Sequence, residues 1–307
     1  MSSRRLVADA GGTNVRFAIA DETGRLERIQ SFQAADFATF AEALAAYRAG
    51  AGGSQEIGAC AIAAAGPVDG DNVKLTNIEW TIDRAKTSAE LAGMPVALVN
   101  DLEAVAAALP HLTSEDLTTI GDVSPVRPER RTMLAINIGT GFGAASAIWR
   151  DGRWYTCPSE AGHMTLGPVA AVPALPADTT VEGVLSGGGL AKLYERLTGG
   201  RHIAAQQASD VLAMAGRDAA AARTIEVFTD ILGRIAGDLT LATCAWGGVY
   251  LCGSVATAWA AGADAKRFRA EFARKGPMRT RMLKVPTAVI RREHAALFGL
   301  AVMPLSR

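Results

Sequence analysis

The chain has 307 residues, with 31 basic and 31 acidic side chains and therefore no formal net charge at pH 7. A neutral chain without a basic tail has no electrostatic attraction to nucleic acid or to anionic membranes. No stretch reaches the roughly 18 apolar residues of a membrane span, and the first apolar run stops at Asp9, short of a secretory signal. The sequence predicts a cytoplasmic protein that binds neither nucleic acid nor membrane.

The cysteines show neither C-x-x-C spacing nor a cluster with histidine, the patterns that bind zinc. We therefore predict no structural zinc. Unpaired cysteines in such proteins are most often buried. We expect buried, reduced thiols at all four positions: Cys60, Cys157, Cys244 and Cys252.

The N-terminal part alternates between strand and helix patterns. "RRLVADAGGTNVRFAIADETGRLERI" predicts three strands joined by turns, because apolar residues recur at every second position of its middle segment. Residues 35–49 carry aromatic and leucine side chains three and four residues apart, which predicts a helix. "EIGACAIAAAG" and "PVALVND" predict buried strands, the second followed by a helix. This alternation predicts a largely parallel sheet with helices on its faces.

The second part repeats the opening pattern after a polar connection at residues 121–131, which we expect at the surface. "TMLAINIGTGFGAASAIWRDGRWY" again predicts strand, glycine turn, strand, turn, strand, and Gly139-Thr140 stands where Gly12-Thr13 stands in the first part. A long helix at residues 224–242, a strand ending at Gly253, and a last strand and helix follow. The recurrence predicts two related α/β halves, each contributing one hairpin turn to a shared cleft.

The first glycine turn lacks the lysine of a Walker loop, and it leads into a strand where a dinucleotide fingerprint would lead into a helix. Backbone N–H groups in such a turn suit an anion, and Asp9 before it can bind Mg²⁺ through water. The alternative is a tight hairpin that needs glycine for its backbone angles. The candidate phosphate-binding residues of the two turns are Gly11, Gly12, Thr13, Asn14, Gly139, Thr140 and Gly141.

Asn100 and Asp101 follow a predicted strand, where ligands bind in parallel α/β sheets. The alternative is that one of them caps the next helix, a role that stabilises by about 1 kcal/mol. The two roles are compatible, because an aspartate at a helix N-terminus stays available as a base.

"PSEAGHM" contains Glu160 and His163, and Glu182 follows in "TTVEGVLSGGGL". Two carboxylates and an imidazole suit a polyol, whose hydroxyl groups both donate and accept hydrogen bonds. The alternatives are a metal site at E-x-x-H, which here has no second histidine at metal-ligand spacing, and a structural histidine.

Taken together, these segments resemble bacterial glucokinases of the hexokinase/actin/heat-shock-chaperone ATPase superfamily. The resemblance covers nearly the whole chain and rests on the order of its motifs: "DAGGTNVRFAI", "LTNIEW", "VNDLEAVA", "IGTGFGAA", "EAGHM", "EGVLSGGGL", "LCGSVA" and "HAALFGLA". It implies a two-lobed actin-like ATPase (ribonuclease H-like) α/β fold with an interlobe active-site cleft. The domains predicted on this basis are a small one, residues 1–110 with 292–307, and a large one, residues 111–291.

The resemblance also implies an activity, the transfer of the ATP γ-phosphate to the 6-hydroxyl of glucose, and roles for single residues. Asp101 would be the general base, and Asp9 would help to place Mg²⁺. Gly12, Thr13, Gly139 and Thr140 would bind ATP phosphates, and Gly253 would lie near the adenosine. The residues implied to lie at the sugar are Asn77, Asn100, Glu160, His163 and Glu182.

Four departures concern the substrate loops: Ser254 stands where a second glycine is common, and Gly188 where proline is frequent. Ser159 and Ala161 stand where glycines are usual. They leave nucleotide and sugar use open. The sequence also leaves open a kinase of another hexose or of an N-acetylhexosamine, and a catalytically weak sugar sensor. The family makes a homodimer the default expectation.

Overall fold

The computed structural model describes residues 4–21, 23–50, 57–76, 78–125, 130–169, 172, 175–200 and 207–304. The chain groups into two compact units. Unit 1 is Met1–His111, Trp154–Thr156 and Glu293–Arg307, and unit 2 is Leu112–Arg153 and Cys157–Arg292. The domain boundaries predicted from the sequence, residues 1–110 with 292–307 and residues 111–291, stay a prediction.

Unit 1 is built on a five-stranded sheet in the order β3-β2-β1-β4-β8. A small three-stranded sheet, β5-β6-β7, is formed by the chain between β4 and β8. Its strands are β1 (Arg4–Ala10), β2 (Asn14–Ala20), β3 (Leu26–Gln33), β4 (Ile57–Ala64), β5 (Val68–Asp69), β6 (Asn72–Lys74), β7 (Thr81–Asp83) and β8 (Val96–Asn100). Its helices are α1 (Phe40–Gly50), α2 (Arg84–Glu90), α3 (Asp101–Ala108) and, from the end of the chain, α10 (Ala295–Val302).

Unit 2 contains most of a six-stranded sheet in the order β12-β11-β10-β13-β14-β9. The strands of this sheet are β9 (Leu117–Thr119), β10 (Met133–Ile138), β11 (Phe142–Arg150), β12 (Arg153–Ser159), β13 (Gly248–Cys252) and β14 (Thr287–Ile290). The helices are α4 (Gly187–Thr198), α5 (Ala208–Met214), α6 (Ala219–Thr243), α7 (Ser254–Ala260), α8 (Ala265–Ala273) and α9 (Arg279–Met282).

The two sheets share one topology. In the first, β1 pairs antiparallel with β2 and parallel with β4, which in turn pairs parallel with β8. In the second, β10 pairs antiparallel with β11 and parallel with β13, which pairs parallel with β14. The prediction of two related α/β halves is confirmed. Each sheet is mixed, because the glycine turns join antiparallel strands and the helical crossovers join parallel ones.

Alternation along β1 sends side chains to two separate cores of unit 1. Leu6 and Ala8 pack in a cluster with Phe17, Leu44 and Tyr47, and the ring of Tyr47 stacks on that of Phe17 at 5.1 Å. Val7 belongs to the opposite cluster, which includes side chains of α3 and α10. Both faces of the sheet are therefore buried, as expected for strands between helical layers.

Two local predictions need correction. The helix predicted at residues 35–49 begins at Phe40, because Thr39 accepts a hydrogen bond from the Glu42 backbone N–H at 3.2 Å and fixes the helix start there. The prediction of four buried thiols is also wrong. Cys60 is buried, whereas Cys157, on the edge strand β12, and Cys244, in a left-handed conformation after α6, are exposed.

Within the described part of the chain, no helix combines the length and the apolar character that a membrane crossing requires.

Candidate functional site

The carboxyl ends of β1, β4 and β8 form one edge of the unit 1 sheet, because these three strands are parallel. Asp9 lies near the end of β1, Gly66 follows β4, and Asn100 ends β8. This is the edge at which parallel α/β sheets bind their ligands. Four of the sequence-predicted residues of unit 1 stand at or directly after these strand ends: Asp9, Gly11, Asn100 and Asp101.

The first glycine turn links β1 to β2, and its polar groups divide into two sets. The N–H of Gly11 donates to the Asn14 carbonyl at 3.0 Å, and the Asn14 side chain accepts a hydrogen bond from Gln33 at 3.0 Å. The Thr13 carbonyl accepts from the N–H of Ala34. Among the described residues, no acceptor faces the backbone N–H groups of Gly12 and Thr13. These two successive N–H groups are the ones that remain for an anion.

Asp9 is paired across the ladder with Arg16, a residue that the sequence reasoning missed. Arg16 Nη1 lies 3.4 Å from Asp9 Oδ2, and both side chains are partly buried. Burial raises the pKa of Asp9, and the positive charge of Arg16 offsets part of that rise. The signal in the sequence was a basic residue within the apolar strand β2.

The described residues contain no group of three or more histidine, cysteine, aspartate or glutamate side chains that would bind a metal ion by themselves. A single carboxylate such as Asp9 fits Mg²⁺, which usually keeps several waters and adds substrate phosphates to one or two carboxylates. Within the described residues, Glu160 and His163 of the E-x-x-H alternative do not belong to such a group either.

Asn100 and Asp101 mark the junction between β8 and α3. The Asn100 side chain accepts a hydrogen bond from the Leu102 N–H at 3.0 Å and donates one to the Gly66 carbonyl at 3.1 Å. Asn100 is therefore the N-cap of α3 and also ties the ends of β4 and β8 together. The oxygen and the nitrogen of its side-chain amide therefore each have a protein partner.

Asp101 is the first residue of α3, and its Oδ1 accepts a hydrogen bond from the Leu102 N–H at 2.8 Å. Burial raises the pKa of Asp101 to about 6, and the negative charge of Asp9 adds to the rise. A carboxylate with a pKa of about 6 is mostly ionised at neutral pH and accepts a proton more readily than one with an ordinary pKa. The chemistry of this side chain is therefore compatible with the predicted role of a general base.

The second glycine turn, in unit 2, links β10 to β11 in the same way. The Gly139 N–H donates to the Gly141 carbonyl at 3.0 Å, and the Gly139 carbonyl accepts from the Gly187 N–H at 2.8 Å. Within the described residues, the N–H groups of Thr140 and Gly141 have no acceptor. Each turn thus leaves two successive N–H groups for an anion.

A cavity of about 380 Å³ adjoins the second turn. The N-terminal ends of α4, α5 and α7 all contribute to its wall, and helix N-termini favour anions. Its lining residues are Gly139, Thr140, Gly187, Gly188, Gln207, Ala208, Ser209, Leu212, Ser254, Val255 and Ala258. Two of the departures from the family pattern, Gly188 and Ser254, therefore line this cavity.

Gly253 lies immediately before α7 with φ of +96°. A Cβ at this position would overlap the Ile138 carbonyl oxygen and come within 2.5 Å of Asn137 Oδ1. Only glycine fits, so the turn after β13 passes directly against the end of β10.

Glu160 directly precedes a short 3₁₀ turn at Ala161–His163, and His163 is the last residue of that turn. Their side chains are 72% and 70% exposed, and His163 Nε2 lies 4.0 Å from Glu160 Oε2. Glu182 is half-buried and approaches the same segment, because its N–H donates to the Gly162 carbonyl at 2.9 Å. The backbone of Glu182 therefore lies against the segment that carries Glu160 and His163, whereas Asn77 lies outside the described residues.

Comparisons with known proteins identify the family of this chain. The sequence model of the family described as glucokinase matches residues 6–306. A glucokinase of Nitrobacter hamburgensis is 34% identical, over 99% of this chain and 98% of its own length. The crystal structure of a glucokinase from an Antarctic psychrotroph superposes with a TM-score of 0.84 at 28% identity, with 98% of each chain covered.

A more distant structure shares the fold. The ROK family glucokinase of Streptomyces griseus, solved in complex with glucose and AMPPNP, has a TM-score of 0.65 at 20% identity, with 97% of this chain and 98% of its own chain covered. The fold class and the resemblance inferred from the motifs are both confirmed. This chain belongs to the glucokinase family, whose members phosphorylate glucose with ATP.

Proposed function

We propose that this chain transfers the γ-phosphoryl group of ATP to the 6-hydroxyl of D-glucose, with Asp101 as the general base. The observation that supports this most directly is the position of Asp101, at a sheet edge and at the start of a helix, with a pKa of about 6. Asp101 accepts the proton of the 6-hydroxyl while that oxygen bonds to the γ-phosphorus. The bond from this phosphorus to the β–γ bridging oxygen breaks, and ADP leaves.

Phosphoryl transfer of this kind depends mainly on positioning and on charge neutralisation, because its transition state is loose. Gly12 and Thr13 in the first turn, and Thr140 and Gly141 in the second, offer the N–H groups that would bind phosphate oxygens. Gly11, Asn14 and Gly139 would act through the shape of these turns, since the N–H groups of both glycines and the side-chain oxygen of Asn14 are bonded within the protein.

The adenosine would occupy the 380 Å³ cavity. Leu212, Val255 and Ala258 supply apolar surface for a base, and Gln207 and Ser254 supply polar groups. Gly253 would shape the turn that brings Ser254 to the cavity wall.

The sugar would contact Glu160, His163 and Glu182, and Asn100 keeps its predicted role as a sugar ligand as a proposal from the sequence. The exposure of Glu160 and His163 supports this role, because their polar atoms are open to a ligand. Asn77 keeps its predicted place at the sugar as a proposal from the sequence alone.

Mg²⁺, when bound, supplies positive charge to the phosphates, and Asp9 would bind it, in part through water. We also propose that the protein acts in the cytoplasm as a homodimer, as the sequence and the family lead us to expect.

The experiment that tests the proposal measures ADP release with Mg-ATP and glucose, mannose, fructose, N-acetylglucosamine or no sugar. We expect glucose to give the highest kcat/KM, and Asp101→Asn to reduce kcat by about 10²–10⁴-fold while glucose still binds. A higher kcat/KM with another sugar would reassign the specificity and keep the mechanism. Glucose binding without ADP release would indicate a sensor.

A further inference from the structure

We infer that Glu182, besides binding the sugar, positions the second phosphate-binding turn, Gly139–Gly141. Binding of ATP then depends on a sugar ligand, and binding of glucose depends on the phosphate-binding turn. The inference rests on the proposed function and extends it: the same carboxylate serves glucose with one oxygen and organises the turn that binds ATP with the other. The sequence motifs assign Glu182 to the sugar only.

The contact that carries the inference joins Glu182 to Phe142. Glu182 Oε2 accepts a hydrogen bond from the Phe142 backbone N–H at 2.8 Å. Phe142 is the first residue of β11 and directly follows Gly141. A hydrogen bond from a backbone N–H to an ionised carboxylate is roughly twice as strong as one between neutral groups. It fixes the place where the turn re-enters the sheet.

The absence of a side chain at Gly141 makes this contact possible. A Cβ at Gly141 would lie 2.6 Å from Glu182 Oε2 and 3.4 Å from its carboxyl carbon. Any larger residue would push the carboxylate away from the Phe142 N–H. The φ of Gly141 is not positive, so its backbone conformation does not require glycine. The contact with Glu182 is a steric reason for glycine at this position.

The backbone of Glu182 is hydrogen-bonded to the segment that carries Glu160 and His163. Its backbone N–H donates to the Gly162 carbonyl at 2.9 Å, and a Cβ at Gly162 would overlap the Phe142 carbonyl oxygen. Gly162 lies between Glu160 and His163. The segment that carries the proposed sugar ligands therefore contacts both Glu182 and Phe142.

The second carboxylate oxygen, Oε1, has no hydrogen-bond partner among the described residues. A carboxylate has about four lone-pair positions and accepts from two donors at once. Oε1 can therefore accept from a sugar hydroxyl while Oε2 stays on Phe142. A displaced Oε2 would move Oε1 with it, because the two oxygens share one carbon.

The test changes a residue in the segment of one substrate and measures the binding of the other substrate. Glu182→Ala should weaken binding of AMPPNP in the absence of sugar, and Gly141→Ala should weaken binding of glucose in the absence of nucleotide, each by about 5-fold or more, the lower end of typical coupling between sites. Isothermal titration calorimetry with the full-length protein measures both. The matched control is Gly262→Ala, whose Cβ would meet nothing within 4 Å, and which should change neither dissociation constant.

The outcomes separate the inference from the proposed function. If the wild-type protein does not bind glucose, the proposed function fails and the inference fails with it. If the wild type binds both ligands but each variant affects only the ligand of its own segment, within twofold for the other, the inference is wrong and the proposed function stands. Should Gly141→Ala fail to fold by circular dichroism, the AMPPNP titration of Glu182→Ala decides alone.

Discussion

Arg16 and Asp9 face each other across the β1–β2 ladder, with Arg16 Nη1 at 3.4 Å from Asp9 Oδ2. The carboxylate proposed to bind Mg²⁺ therefore has a fixed cation as its neighbour before any metal arrives. Arg16 keeps the pKa of Asp9 from rising as far as burial alone would raise it. It also orients the carboxylate through a side-chain hydrogen bond.

The first prediction concerns this carboxylate. Asp9→Asn keeps the shape and removes the charge, so we expect the free Mg²⁺ concentration for half-maximal activity to rise by about 10–100-fold. A titration of free Mg²⁺ at fixed ATP measures it, and glucose binding without nucleotide serves as the control. An unchanged Mg²⁺ requirement would show that Asp9 has another role.

The second prediction concerns pH. Asp101 must be ionised to accept a proton, and its pKa is about 6 in the folded protein. We expect kcat/KM for glucose to be constant above about pH 7 and to fall about tenfold per pH unit well below pH 6. The residual activity of Asp101→Asn should lack this inflection. A wild-type profile that is flat from pH 5 to pH 8 would contradict the assignment of Asp101 as the base.

The third prediction concerns stability. Because folding raises the pKa of Asp101 from 3.8 to about 6, the folded state keeps a proton that the unfolded state has lost between these pH values. The free energy of unfolding therefore decreases as pH rises through this range, and the loss is complete above it. Asp101→Asn removes this cost, so it should stabilise the protein by about 1 to 3 kcal/mol at pH 7.5.

Chemical denaturation at two pH values checks this prediction. The variant's advantage should be present at pH 7.5 and vanish near pH 4, where the wild-type carboxyl is protonated in the folded state. Equal stabilisation at both values would point to a change in packing, and destabilisation at pH 7.5 would contradict the raised pKa.

The fourth prediction concerns the support of the helix that carries Asp101. Gly299 in α10 packs so closely on α3 that a Cβ would overlap the Ala104 carbonyl oxygen. Gly299→Ala should lower the free energy of unfolding by about 1–3 kcal/mol, the usual cost of overpacking, and reduce kcat by displacing α3. Gly262→Ala is the matched control, and equal stability of the two variants would show that the helices separate without cost.

The features that the sequence predicted are local. Period-two alternation around the glycine turns predicted both hairpins, and a strand followed by Asn100-Asp101 predicted the sheet edge, because each pattern lies within about ten residues. The helix start at Phe40 was also readable, from Thr39 and Glu42, but the apolar spacing of residues 35–49 masked it.

The features that the sequence did not predict depend on tertiary contacts. The bond between Phe142 and Glu182 joins residues 40 positions apart, and no periodicity encodes it. Gln207 and Leu212 reach the cavity because α5 packs beside α4 and α7, which single-sequence patterns do not specify. The pKa of Asp101 likewise follows from burial and from Asp9, more than ninety residues earlier in the chain.

The packing of α10 on α3 has a consequence for the order in which the protein is made. Residues 295–302 come after the whole of unit 2, yet they cover one face of the unit 1 sheet and contact the helix that begins at Asp101. During translation, β1 and α3 are synthesised before unit 2, so Val7 and Ala104 lack their contacts with α10 until residues 295–302 have been translated. The proposed base is thus synthesised in the first third of translation and reaches its final surroundings only at the end.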